Sequence, residues 1–423
     1  MINSIEDLDS FFLSYMPSGG RSGEIRENRL KRMAELLKAL GNPEKDFKSI
    51  HVAGSKGKGS TSSIIAFLLE KSGHSTGVFL SPHVYSLLER FKKGDGYFPL
   101  SSYFSSAEVL EEKVRNLSFI PTTFELYTAY SYLLFSREKV EYAVIETGLG
   151  GRIDSTNTIS SFAEVLLTIE LEHTEILGST IKEIATEKSK IIKENTDVFL
   201  SENSLEALDV FIKESQEKNC RIHSFSSIVR DFEYDEKKDA GFLSFSIDGE
   251  KYEIRSALRT LKMMKNIALS VLTLKRLSLL DRKSLDYLSF FTIPGRFEER
   301  KRGEKTIVLD VAHTEESILN CACTFSSLYK RRRCVIFSAI KGKNYKAMID
   351  ILALFFDTMI FTKTIEFKKS DPEEIMSYAS SAYPEKKLYV IYDAKDALEK
   401  AKENADDILI AGSFYLITEY KDA

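Results

Sequence analysis

Cysteine is scarce in this chain of 423 residues, and the four present (Cys220, Cys321, Cys323 and Cys334) are spaced for neither a disulfide framework nor a zinc pair. That excludes a small secreted disulfide scaffold and points to a reducing compartment. Cys321 and Cys323, two residues apart, read as filler on a helix face rather than as metal ligands. An excess of one charge is lacking too. Against 63 acidic residues stand 59 basic ones, for a net charge of -4 and a pI near 6.0, which gives no support to a protein that coats nucleic acid or an anionic membrane. No run approaches the roughly 18 apolar residues that span a bilayer. The opening "MINSIEDLDSFFLSYM" has no basic stretch followed by a long apolar core. A soluble, cytoplasmic protein with neither nucleic-acid nor membrane partners is expected, and neither an internal repeat nor a low-complexity tract stands out.

The chain is too long for one core of ordinary size, so two domains are expected. Leu30, Met33, Leu37 and Leu40 repeat at helical spacing and stop at Gly41-Asn42-Pro43. Short apolar runs at 77–81, 141–146, 163–169 and 197–201 alternate with segments of helical length, the pattern of a parallel sheet covered on both faces. Residues 242–254 instead alternate with period two about Asp248-Gly249, a hairpin signal. A proline-glycine pair in "FTIPGRF" (291–297) marks a boundary, after which buried-strand runs resume at 334–340, 358–362, 388–393 and 408–413. The expected architecture is α/β: residues 1–293 as a parallel-sheet domain with a P-loop and a small antiparallel patch, then 294–423 as a smaller Rossmann-like α/β domain.

One stretch carries chemistry on its face. "HVAGSKGKGST" (51–61) places Gly54, Ser55, Lys56, Gly57, Lys58, Gly59, Ser60 and Thr61 between an apolar run and a helical one. A strand turning through glycines into a helix aims several N–H groups and a positive helix end at one point, which suits a phosphate. Lys58 then offers a mobile charge to the outer phosphates, and Ser60 or Thr61 reaches a magnesium ion. The strict P-loop pattern fails here, with Val52 at the first glycine position and Gly59 after the lysine, so a plain tight turn with surface lysines is the competing reading. Glu146 closes a strand run and opens "ETGLGGRIDSTN", and His173 follows another strand in "IELEHTEILGST". Beside a phosphate loop, a carboxylate and an imidazole are suitable partners for a divalent cation that neutralises phosphate charge.

Taken in order, "HVAGSKGKGST", "SPHVYSLLERF", "TTFELYTAY", "VIETGLGGRIDSTN", "EHTEILGSTIKEIATEKSKIIK", "MMKNIALSVL", "IPGRFE", "LDVAH" and "AGSFYL" resemble the folylpolyglutamate synthase and dihydrofolate synthase family of Mur-type, ATP-dependent amide ligases. The resemblance implies that ATP phosphorylates a folate or dihydropteroate carboxylate and that L-glutamate displaces the phosphate. It implies ATP contacts at the glycine loop, Asn266, Arg296 and Asp310, with Lys58, Lys188, Asp310 and His313 as the catalytic set. Two Mg2+ sites are implied, drawing on Ser60, Ser81, Glu146 and His173, one of them through a carbamylated Lys188, which on sequence alone is an ordinary helix lysine. Carbamylation needs a neutral amine, so the site should lower the pKa of Lys188 by burial or by neighbouring positive charge. Phe124 would offer a face to a pterin, with Arg152 and Asp154 at its polar edge, although Phe124 equally fits the core face of an amphipathic helix. The family implies a monomer and closure of the second domain over ATP.

The chain departs from the family's pattern at Lys56, where asparagine is usual, at Glu172, where aspartate is usual, and at Thr314 and Glu315 after "DVAH". Two other functions share these motifs: a Mur-type ligase acting on a cell-wall nucleotide precursor, and a non-enzymatic ATP switch. The first should carry an additional N-terminal domain, whereas the glycine loop begins near residue 50. The second should hydrolyse ATP slowly, whether or not glutamate is present.

Overall fold

A computed structural model describes residues 2–16, 28–237, 240–364 and 370–422. Two compact units divide the chain. Met1–Phe232, Phe245–Tyr252 and Lys265–Tyr287 make the first; Glu233–Ser244, Glu253–Met264 and Leu288–Ala423 make the second.

A seven-stranded sheet organises the first unit, from β1 (Lys48–Ala53), β2 (Thr76–Phe79), β3 (Phe91–Lys93), β4 (Tyr142–Glu146), β5 (Ala163–Leu166), β6 (Asp197–Leu200) and β7 (Arg221–Ser224). Its order is β3-β2-β4-β1-β5-β6-β7, parallel throughout except for β3 against β2. Every residue of β2, β4, β5 and β6 is buried, as parallel strands covered on both faces require. The helix Lys58–Lys71 is buried along Ser60–Leu69, and Thr123–Arg137 along Thr123–Phe135 bar Phe124, so neither has the polar stripe of a surface helix. An aromatic core lies beneath them: Phe91 stacks on Phe79 at 6.0 Å and meets Tyr130 edge-on at 4.8 Å. The chain leaves β1 toward β2 on one side and later adds β5 on the other. The carboxyl end of β1 is therefore a topological switch point, where open α/β sheets bind ligands.

The helix expected over 30–40 spans Arg29–Ala39 and ends where Gly41 and Asn42 take φ of 86° and 58°. β5 stops at Leu166, short of the expected 169. Its continuation is diverted to hold the glycine loop, with Leu167 N–H donating to Ala53 O at 2.8 Å and Ser55 N–H to Thr168 O at 2.9 Å. A three-stranded sheet in the order β10-β9-β8 joins β8 (Val229–Glu236), β9 (Gly241–Ile247) and β10 (Glu250–Ser256). Asp248 and Gly249 connect β9 to β10 at φ of 53° and 78°, both left-handed as a tight hairpin turn demands.

The second unit carries a six-stranded sheet in the order β11-β12-β16-β13-β14-β15. Its strands are β11 (Glu298–Arg302), β12 (Lys305–Asp310), β13 (Arg333–Phe337), β14 (Thr358–Phe361), β15 (Lys387–Val390) and β16 (Asp407–Ala411). β11 runs antiparallel to β12 and the rest are parallel. "EERKR" has no apolar residue to announce β11, because an edge strand buries little. β13 and β16 end before the expected 340 and 413. At Gly412 the backbone turns at φ 124°, and a Cβ there would lie 2.2 Å from Ser338 O. The molecule is thus the expected mixed α/β protein, with a parallel-dominated first sheet and a second sheet toward the C-terminus. Among the described residues no helix is long and apolar enough to cross a membrane.

Candidate active site

The glycine loop sits at the switch point of the first sheet. Gly54 leaves β1 at φ 154°, and a Cβ on it would lie 2.6 Å from that of Leu167, so no side chain fits where the loop turns. Gly57, at φ 84°, caps the helix Lys58–Lys71, whose first N–H groups open into the loop. Two lysines meet there. Lys58 Nζ donates to Gly54 O at 3.0 Å and Lys188 Nζ donates to the same oxygen at 2.9 Å. Lys188 is only 1 % exposed, and burial, reinforced by the charge of Lys58, brings its pKa down to about 8.

Glu172 is the counter-charge, 3.2 Å from Lys188. Burial pushes the Glu172 carboxyl upward, but Lys58, Lys188 and Lys56 together hold it below the usual range. Two of the departures from the resembled family, Lys56 and Glu172, therefore belong to one electrostatic cluster.

Glu146 ends β4 with its carboxylate turned to the loop: a Cβ on Gly59 would lie 3.3 Å from Glu146 Oε2, which accepts from Ser81 N–H at 2.9 Å. The structure so brings Glu146, Ser81 and the first turn of the Lys58–Lys71 helix together. Ser60 is buried on that turn, and Thr61 Oγ1 is buried beside it with no hydrogen-bond partner. His173 is 54 % exposed at φ 48°, with Nδ1 3.8 Å from Glu175, and no bond joins it to Glu146 or Lys188. Among the described residues no group of three or more His, Cys, Asp or Glu is placed to hold a metal. The oxygen donors at the loop nonetheless fit a hard cation such as magnesium, and the unpartnered Thr61 hydroxyl is a free donor beside them. Cys321 is buried and Cys323 exposed on the helix Glu315–Leu328, and both are free thiols.

Asn266 packs on the loop from the helix Leu261–Arg276: a Cβ on Gly57 would lie 3.4 Å from its amide, whose Nδ2 is buried without a partner. Phe124 lies against the loop after β4, so close that a Cβ on Gly148 would sit 2.2 Å from its Cζ. Asp154 is 1 % exposed and already engaged, accepting from Leu149 N–H at 2.8 Å, Thr156 N–H at 3.0 Å and the Thr156 hydroxyl at 2.6 Å. Arg152 is more than half exposed and bonds Glu187 at 2.8 Å.

Arg90 lies in "SPHVYSLLERF" without an assigned role, and the fold makes it part of this region. Its Nε–H donates to His83 Nδ1 at 2.8 Å, its guanidinium lies 4.6 Å from the Tyr127 ring centroid, and Glu146, Asp9 and Glu89 all act on its charge. Burial, with Arg90 beside it, brings His83 down to about 4, so its ring is neutral.

In the second unit, Arg296, Asp310 and His313 gather at the carboxyl end of β12. Asp310 accepts from Phe297 N–H and Ala312 N–H, both at 2.8 Å; burial raises its pKa and the charge of Arg296 opposes that rise. Arg296 lies over the Phe414 ring at 4.9 Å. His313 Nδ1 donates to Val311 O at 2.8 Å, which holds the ring in place. Thr314 has a structural task, capping the Glu315–Leu328 helix with Ser317.

A glycine loop at a switch point, a lysine folded back onto it, and a second α/β unit with a charged strand end define the class: an ATP-dependent ligase of Mur type. The model of the Mur ligase middle domain matches residues 52–274, and that of the Mur ligase glutamate ligase domain matches 295–414. Over 445 residues the chain is 31% identical to the dihydrofolate synthase/folylpolyglutamate synthase of Bacillus subtilis, covering 100% of this chain and 99% of that protein. It is 29% identical to the folylpolyglutamate synthase of Lacticaseibacillus casei, over 96% of each chain. Its fold matches that of Mycobacterium tuberculosis folylpolyglutamate synthase complexed with ADP at a TM-score of 0.89 and 22% identity, covering 99% and 97% of the two chains. The chain belongs to the dihydrofolate synthase and folylpolyglutamate synthase family.

Proposed function

We propose that this enzyme joins L-glutamate to a folate-type carboxylic acid, dihydropteroate or a reduced folate, at the expense of ATP. The observation that carries the reading is the pairing of Lys58 and Lys188 on Gly54 O at the mouth of an anion-binding loop. A carboxylate is a poor electrophile. Its oxygen attacks the γ-phosphorus, ADP leaves, and the acyl phosphate formed is open to the glutamate amine, which expels inorganic phosphate and loses a proton.

Lys58 would release Gly54 O and follow the γ-phosphoryl group, while the loop amides from Gly57 to Thr61 hold the β-phosphate and Asn266 meets the nucleoside. Glu146, Ser81, Ser60 or Thr61, and His173 would hold magnesium, which neutralises phosphate charge when bound. Lys188, with a pKa near 8, has the neutral-amine fraction that carbamylation needs. Its lone pair bonds carbon dioxide, a proton leaves to solvent, and an anion suited to a second cation results. Phe124 and Arg152 would face the acid substrate, and Asp154 would shape the loop that receives it. Arg296, Asp310 and His313 are the second unit's contribution to ATP and to the chemistry.

The test is phosphate release from ATP with dihydropteroate or tetrahydrofolate as sole acceptor, with and without glutamate. Release that requires both substrates supports the reading. Release indifferent to glutamate, or with neither acceptor, overturns it.

A further inference from the structure

His51 lies on β1, three residues before Gly54, and is wholly buried. Its Nε2 is 2.9 Å from Thr156 Oγ1. The single proton of that hydroxyl goes to Asp154 Oδ1 at 2.6 Å, so the imidazole must donate through Nε2–H. Nδ1 then carries the lone pair, and it is buried with no partner. An imidazolium would bury an unpaired N–H there. Burial, with the charge of Lys193, accordingly holds His51 far below the usual histidine range.

The chain of bonds continues outward. Asp154 Oδ2 accepts from Leu149 N–H at 2.8 Å, and Tyr132 OH donates to Thr156 O at 3.2 Å. Between those ties runs the loop 147–156. Phe124 presses on it at Gly148, and Arg152 N–H bonds Glu187 O, next to Lys188, at 2.9 Å. The strand that delivers the phosphate loop is thus bonded through two side chains to the segment lying between Phe124 and the Lys188 helix.

We propose that His51 is a positioning residue of the ligation reaction: through Thr156 and Asp154 it fixes the 147–156 loop in the shape that receives the acid substrate. Deleting its donor leaves the Thr156 lone pair buried and unsatisfied and frees the loop, while the glycine loop keeps its own ties to Leu167 and Thr168. The inference rests on the reading that a pteroyl acid is the acceptor, and its test separates the two.

Three measurements on the full chain decide it. Nitrogen-15 NMR of histidine-labelled protein should show His51 as the neutral Nε2–H tautomer; an Nδ1–H form or a charged ring overturns the proposal. In His51→Leu, amide exchange at Leu149 and Thr156 should quicken about ten-fold while Leu167 keeps its rate. In His51→Gln, whose amide donor reaches the place of Nε2, protection should return to within about three-fold. For turnover, His51→Leu should raise KM for dihydropteroate or tetrahydrofolate about ten-fold, leave KM for ATP within about two-fold, and be rescued by glutamine. A KM for ATP that rises equally, or a glutamine variant as poor as leucine, overturns it. If wild-type protein turns over no pteroyl acid, the proposed function fails, and the tautomer and exchange results still decide whether His51 anchors the loop.

Discussion

Lys58 and Lys188 donate to one acceptor, the carbonyl oxygen of Gly54, at 3.0 and 2.9 Å. Two ammonium groups sharing a carbonyl repel each other, and the fold relieves the strain unequally. Lys188 is buried and loses proton affinity, and Glu172 supplies the negative charge that keeps the cluster together. A γ-phosphate arriving at the loop would draw Lys58 away and remove one of the two charges from Lys188.

Lys58→Ala should therefore lower the rate of phosphate transfer by on the order of 100-fold or more, the cost of a donor aimed at developing charge. Thermal melting should be little changed, since the lysine side chain ends on a single carbonyl. Wild-type turnover in steady-state phosphate release would remove Lys58 from the chemistry.

Lys188 predicts a pH response. Its folded pKa, about 8, lies below the free-lysine value of 10.5. Below pH 8 both folded and unfolded states hold the proton, and the cost of burying the charge is fully present. Between 8 and 10.5 the unfolded chain holds more protons, so this group makes stability rise with pH. Urea midpoints of wild type and Lys188→Met, compared at pH 7 and pH 9, should converge as the pH rises. Carbon-13 carbonate labelling should show carbamate at Lys188 increasing through the same interval, and Lys188→Ala should regain part of its activity with added short carboxylic acids.

Glu172→Gln removes the partner of a buried cation. The loss should be about 1 to 3 kcal/mol at pH 7, less than for a fully buried pair because Glu172 is partly exposed, and smaller at pH 9 where Lys188 is mostly neutral. Chemical denaturation at the two pH values checks it; equal losses would mean that Glu172 acts by packing rather than by charge.

Gly148→Ala should drive a methyl group into the Phe124 ring and cost about 1 to 3 kcal/mol. Phe124→Ala opens a cavity of its own, but in the double variant the clash is gone. A double-mutant cycle by denaturation should show the two substitutions strongly non-additive. Simple additivity would separate the ring from the glycine.

Asp310→Asn replaces one of two accepting oxygens with a donor that faces an N–H, of Phe297 or of Ala312. The mismatch should cost about 1 to 3 kcal/mol and remove a negative charge on which Arg296 acts. Turnover should fall further than in Thr314→Ala, which removes only a helix cap.

Some of this was written in local order. Gly54, Gly57 and Lys58 lie within five residues, so a phosphate loop is readable without a fold, and β4 and β5 announce themselves because strands buried on both faces are mostly apolar, Glu146 and Glu164 being the buried exceptions. β11 did not announce itself, for an edge strand can be "EERKR" and still pair. Phe124 bore two readings, core residue and ring platform, and the contact with Gly148 shows why: it packs on the loop and borders the site at once.

By itself the sequence determined the periodicities, the glycine turn and the ordered motifs, because each depends on neighbours a few residues away. Only the tertiary structure decided that burial and Lys58 should be what lowers the proton affinity of Lys188, that Glu172 should pair with it, that Asp154 should be spent on its own loop, and that Arg90 and His51 matter. Those properties arise from burial and from groups brought together in space, as Gly54 and Lys188 are across 134 residues, and a one-dimensional pattern holds neither quantity.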